Sequence, residues 1–155
     1  MSEALTPFQI QLLLYYLEAE PSKRTVTDSA RSLGVGKWAI TRAMDAMEKQ
    51  GIVERLEHRK TALTVPGIKL AEQYRRKFCV FHRYMQYLDV PLSQIRENAL
   101  QGLAAGFSDA FMDRLSEQES RMEIKEHFTG RQRFHGGEIC DLLEDGSYHF
   151  PFIIY

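Results

Sequence analysis

The chain is poor in the residues that build covalent, metal or membrane frameworks. Its 155 residues include only two cysteines, Cys79 and Cys140. They are far apart and match no zinc or redox spacing. A reduced, cytoplasmic setting is therefore the expectation. No apolar run approaches the roughly 20 residues needed to span a bilayer. The opening "MSEALTPF" lacks a basic segment followed by an apolar one, so no signal peptide is expected. Catalytic signatures are missing too. No nucleophile sits beside a base, and no carboxylate pair stands out. "GVG" at Gly34 lacks the lysine-serine pattern of a phosphate loop. "HGGE" at His135–Glu138 carries nothing that marks catalysis. An enzyme is not expected.

Positive charge is absent from residues 1–21 and concentrated after them. Residues 22–80 hold 13 Lys or Arg against 6 Asp or Glu, while residues 81–155 hold 7 against 12. A cationic block within a chain of net charge −1 points to a polyanion-binding face. A salt-bridged helical surface is the alternative.

The periodicity gives the order of elements. Thr6 caps a helix from Pro7 to Ala19, with proline at the first helical position. In "RTVTDSARSLGVG", Thr27 is the expected cap of a short helix that Gly34 ends. The next helix runs from about Lys37 to Gln50 and turns Ile40, Met44 and Met47 inward. The period then falls to 2. "IVERLEHRKTALTV" alternates around the polar tip His58-Arg59-Lys60, as a hairpin does. This order is that of a winged helix-turn-helix. Thr64 caps a long helix ending near Leu88, with Ile68, Ala71, Tyr74, Phe78, Phe81 and Met85 on its apolar face. Pro91 starts another that ends at Gly106. Ser108 caps a third, "SDAFMDRLSEQ". Their apolar surface exceeds what one small domain needs, and a homodimer interface through the helices after residue 66 is the natural outlet. The two apolar runs around Asp145-Gly146 predict a C-terminal hairpin, with Pro151 on an edge strand. The expected architecture is mainly α with small β. A winged helix-turn-helix DNA-binding domain (1–65) precedes a helical dimerisation domain (66–118) and an extension with a β-hairpin (119–155).

In such a motif the second helix puts its first residues against base edges in the major groove. Trp38, Thr41, Arg42 and Asp45 face away from the buried stripe, and the stem of Lys37 reaches outward. Arg42 suits a guanine edge or a phosphate, Thr41 a base or phosphate, and Lys37 a phosphate. Trp38, the only tryptophan, suits thymine methyls. Its bland alternative is partial burial against the first helix or the wing. Arg59 and Lys60 at the wing tip suit phosphate or minor-groove contact. With Thr27 and Ala39, the expected DNA-binding set is Thr27, Lys37, Trp38, Ala39, Thr41, Arg42, Arg59 and Lys60.

The stretch "VTDSARSLGVGKWAITRAMDAMEKQGIVERLEHRKTALTVPG" resembles the DNA-binding domain of iron- and manganese-dependent repressors, the diphtheria-toxin-repressor family. It is also similar to MarR-type regulators. The first is favoured by His82 in "FCVFHRYMQYL" on the long helix and by the Phe107-Ser108 junction in "GFSDAFMDRL". The resemblance covers residues 6–118. It implies a homodimeric repressor on a palindromic operator with a divalent-metal corepressor site. Carried over residue by residue, that site fails. Gln9 and Leu12 stand at the first-helix ligand positions, and Gln101, Ala104 and Ala105 at those of the later helix. Only His82 is retained. Mn and Fe sites need several carboxylate or histidine donors, so no metal cofactor is expected. A different zinc site would have to combine Cys79 and His82 with His127, His135, Cys140 or His149, whose spacing is irregular.

The sequence thus reads as a sequence-specific regulator of double-stranded DNA, a repressor acting as a homodimer, with room for a small-molecule effector. Two alternatives stay open: a winged-helix protein-interaction module that does not read DNA, and a MarR-type repressor responding to a small molecule.

Overall fold

A computed structural model describes residues 4–129 and the strand pair Asp141–Leu142 and Tyr148–His149. It is mainly helical with small antiparallel sheets. Two units divide the backbone, one ending at Tyr74 and the other beginning at Arg75.

In the first unit, α1 spans Pro7–Glu18. Thr6 Oγ1 accepts from the Gln9 N–H at 3.1 Å, and Gln9 Oε1 accepts from the Thr6 N–H at 3.1 Å. This reciprocal capping box satisfies two backbone donors that the helix leaves open. Ile10 and Leu12–Tyr16 are all buried. The helix is thus enclosed on every side of its second and third turns, where the sequence predicts a stripe. It packs on α3, Lys37–Lys49, and on the strand Thr61–Leu63. Burial pushes the Tyr16 hydroxyl above its ordinary pKa, and its oxygen lies 2.7 Å from Ser29 Oγ.

Between these helices lies α2, Val26–Leu33. Its cap is Thr25, which corrects the expectation of Thr27: Thr25 Oγ1 accepts from the Asp28 N–H at 3.1 Å. Gly34 ends α2 in the left-handed conformation, φ 67°, which glycine adopts without penalty. On α3, Ile40, Ala43, Met44 and Met47 are buried.

The segment expected to form the wing is a short hairpin. β1, Val53–Arg55, pairs antiparallel with β2, Thr61–Leu63, in the register Val53 to Leu63 and Arg55 to Thr61. The Thr61 N–H donates to Arg24 O at 2.9 Å, and a bridge joins Thr25 to Lys60. The segment before α2 thereby forms a partial third strand and fixes the wing beside the start of α2.

Thr64 Oγ1 accepts from the Gly67 N–H at 3.1 Å and caps α4, Val65–Tyr87. The first turn of α4 approaches the wing closely. A side chain on Gly67 would put its Cβ 1.9 Å from Ile52 O. Ile68, expected on the apolar face, is largely exposed.

The second unit holds the remainder of α4, with α5 (Leu92–Ala105) and α6 (Asp109–Thr129). Phe78 to Arg83 are six successive buried residues, so this part of α4 is also enclosed all round. Ile95, Ala99, Leu100 and Leu103 of α5 and Met112 of α6 are buried. Ser108 caps α6 through the Phe111 N–H at 3.2 Å, as expected. α6 continues past Gln118, where the sequence expectation stops. Asp141–Leu142 (β3) pairs with Tyr148–His149 (β4). The expected turn at Asp145-Gly146 and the edge position of Pro151 lie outside the described residues.

Candidate nucleic-acid interface

The turn Gly34-Val35-Gly36 delivers the first residues of α3 to the surface. Gly36 is the residue before the helix, with φ −72° and ψ 150°. Lys37 is exposed, Ala39 half-buried and Arg42 exposed. Trp38 is 69% exposed. That rules out the alternative in which it packs into the first helix or the wing. Its indole folds back over Gly36: a Cβ there would lie 2.8 Å from Nε1 and 2.9 Å from Cδ1. Thr41 is half-buried, and its hydroxyl donates to Lys37 O at 3.1 Å.

The wing tip is shaped by two consecutive left-handed residues, His58 (φ 61°) and Arg59 (φ 59°). Such conformations are uncommon outside glycine. The Leu56 N–H donates to Lys60 O at 2.8 Å and closes the loop. Residues 54–60 are exposed without interruption. Thr27, Lys37, Thr41, Arg59 and Lys60 line one open cleft of about 710 Å³, with Met44 at its floor. Five of the eight predicted residues therefore share a cleft between α3 and the wing. Arg42 lies elsewhere on α3, in a shallower groove of about 500 Å³ with Asp45 and Lys49. Trp38 and Ala39 line neither.

Charge in this unit is arranged unevenly. Arg55 of β1 binds Asp45 and reaches Glu48 Oε2 at 3.1 Å. It neutralises two acids one turn apart on α3 and ties the wing to that helix. Among the described residues, Lys37, Arg42, Arg59 and Lys60 have no carboxylate partner. Unneutralised cations around one cleft are what an anionic backbone would meet. Sequence reasoning missed Arg55, Gly36 and Thr25. Arg55 alternates correctly for an exposed strand position, and the pair Asp45 and Glu48 at i, i+3 was its available signal.

The donor set for a divalent metal does not fit. Leu12, Ala104 and Ala105 bring no donor atom. Gln9 spends its carbonyl oxygen on the α1 cap, and Gln101 is exposed. His82 is fully buried, with Phe78 at a ring distance of 5.9 Å. Burial pushes it down to about pKa 4, opposed in part by a hydrogen bond to Gln86. Among the described residues, no group of three or more His, Cys, Asp or Glu could hold a metal ion. Of the alternative zinc donors, Cys79 is buried in α4, while His135 and Cys140 lie outside the described residues.

Comparison with solved structures places this architecture. IdeR of T. acidophilum matches with TM-score 0.53 and 18% identity, over 76% of this chain and 55% of that one. The manganese regulator SloR matches with TM-score 0.58 and 22% identity, over 72% and 52%. The metal-dependent transcriptional regulator MtsR matches with TM-score 0.59 and 22% identity, over 72% and 51%. The fold is shared with metal-dependent regulators. The chain spans about half the length of these three proteins. No family model and no curated protein matches the sequence. Among the described residues, no helix is long and apolar enough to cross a membrane.

Proposed function

We propose that this chain is a DNA-binding transcriptional regulator, a repressor acting as a homodimer without the divalent metal of the regulators it resembles in fold. One observation carries the reading. Among the described residues, Lys37, Arg59 and Lys60 have no carboxylate partner and line a single cleft between α3 and the wing, and Trp38 and Arg42 are exposed on the same helix. α3 would enter the major groove while the wing tip takes the phosphates beside it. Duplication through the helices of the second unit would set two reading helices about 34 Å apart, one turn of duplex. The likeness to solved regulators supports a regulatory role over an enzymatic one. The metal-free part of the proposal rests on Leu12, Ala104 and Ala105, which have nothing to coordinate with.

The test is binding to duplexes selected from a randomised pool. Affinity should fall steeply with salt as counterions are released. It should not change on adding a chelator. The pair Arg42→Ala and Lys60→Ala should lower affinity at least about tenfold. Loss of binding on chelation would overturn the metal-free reading. Undiminished binding by the double variant would overturn the interface.

A second reading, a protein-interaction module, is favoured by one feature of the second unit. Phe107 and Phe111 stack at 4.9 Å and are both substantially exposed. Under that reading the double variant keeps its partner. Under the first, the same aromatic pair serves the contact between two copies.

A further inference from the structure

We propose that Trp38 reads the C5-methyl group of thymine, and that Gly36 lacks a side chain in order to seat the indole. The inference rests on the DNA-binding reading and assigns it a specificity-determining pair. Most hydrogen-bonding side chains on this face suit phosphates or several base edges. Trp38 differs, because the residue is 69% exposed and most of its indole surface is apolar. The base edges of the major groove present donors, acceptors and one apolar group, the thymine methyl. An apolar plate at the start of a reading helix therefore has one complementary feature to find there.

The seat is specific. The pyrrole edge of the indole lies where a side chain of Gly36 would begin, 2.8 Å from Nε1 and 2.9 Å from Cδ1. The backbone of Gly36 is in the extended region at φ −72°, ψ 150°, which any residue adopts. Glycine is therefore not required there by backbone strain. What an alanine would displace is the indole. Gly36 and Trp38 form a unit in which the first sets the direction of the second.

The experiment uses the tightest duplex recovered from a randomised pool, with each thymidine replaced in turn by deoxyuridine. Loss of one contacted methyl should weaken wild-type binding about three- to fivefold, the size expected of one buried methyl. Other thymine positions should change little. Trp38→Ala should bind thymine and uracil duplexes alike. Gly36→Ala should reduce the discrimination to within about twofold, and should add nothing in the Trp38→Ala background. That double cycle removes the general helix effect of alanine at a cap, which is common to both backgrounds. Trp38 is the chain's only tryptophan, so the change in its emission on adding duplex reports its own contact. Wild-type binding that is indifferent to deoxyuridine everywhere would overturn the proposal while leaving the DNA-binding reading intact. So would a selected site without thymine, or a Trp38→Ala variant as methyl-sensitive as the wild type. Absence of salt-sensitive duplex binding would remove both.

Discussion

The first unit gathers cations around one cleft, and the second buries an imidazole and a guanidinium in its core. Around the wing, Lys37, Arg59 and Lys60 are exposed and have no carboxylate partner among the described residues. In the second unit, α4 buries His82 completely beside Phe78, and its neighbour Arg83 is only 7% exposed. A surface kept cationic at no burial cost is available for a polyanion. A buried imidazole instead makes the fold sensitive to protons. The contrast is between cations kept at the surface and ionisable groups enclosed in a core. It can be broken from either side.

The largest effect is expected where the first unit has no slack. Gly67→Ala puts a Cβ 1.9 Å from Ile52 O, against backbone that also accepts from the Thr64 N–H at 3.0 Å. Overpacking costs typically about 1–3 kcal/mol, and this clash with rigid backbone should reach the upper end, about 3 kcal/mol. Urea denaturation measures it. A loss under about 1 kcal/mol would mean that α4 can shift away from the wing without penalty.

Nearly as large is the expected response of the second unit to acid. Burial holds His82 at about pKa 4 against 6.5 in the unfolded chain. Between those values the unfolded chain binds the extra proton. Stability is therefore full above about pH 6.5, falls as pH drops towards 4, and loses nothing further from this group below that. The slope approaches about 1.4 kcal/mol per pH unit, for a total of about 3 kcal/mol. Whatever its stability at neutral pH, His82→Leu should flatten the profile over this window. Equal slopes for the two proteins would show that other groups govern the acid response.

The same contrast explains what the sequence could and could not reveal. The turn glycines Gly34 and Gly51, both left-handed, and the caps Thr6, Thr64 and Ser108 act on their own neighbours, so their signals are local. The cap of α2 is not settled locally. "TVT" offers Thr25 and Thr27, and the choice falls to the one whose backbone also pairs with Lys60 of the wing. The full length of α6 was hidden because "EQESRMEIKEHFT" has no apolar stripe to follow, though no proline or glycine interrupts it before Gly130. The cations of the candidate interface were legible as a run of charge. The role of Arg55 within that run was not legible, because strand alternation shows that a residue is outward but not that two acids on α3 wait for it.

The cap gives the third, smaller prediction. Thr25→Ala should cost about 1 kcal/mol, since it removes the acceptor for the Asp28 N–H. Thr27→Ala, at an exposed position with no such bond, should fall within about 0.5 kcal/mol of zero. Reversal of that order in thermal unfolding would restore Thr27 as the cap.

The smallest effect on stability concerns Arg55, and it tests the contrast most directly. Its side chain is 44% exposed and meets the side chains of Asp45 and Glu48, which are 58% and 49% exposed. Exposed pairs contribute about 0–1 kcal/mol, so Arg55→Met should lower stability by less than about 1 kcal/mol. That loss should shrink as salt approaches about 1 M, where the screening length falls to about 3 Å. The effect on duplex binding should be larger than the effect on folding. Removing Arg55 leaves Asp45 and Glu48 uncompensated on the helix that carries Lys37 and Arg42, and so moves the local field against phosphate. If Arg55→Met instead cost stability strongly at every salt concentration, Arg55 would be a packing residue. The first unit would then resemble the second, with its arginine serving the fold ahead of the surface.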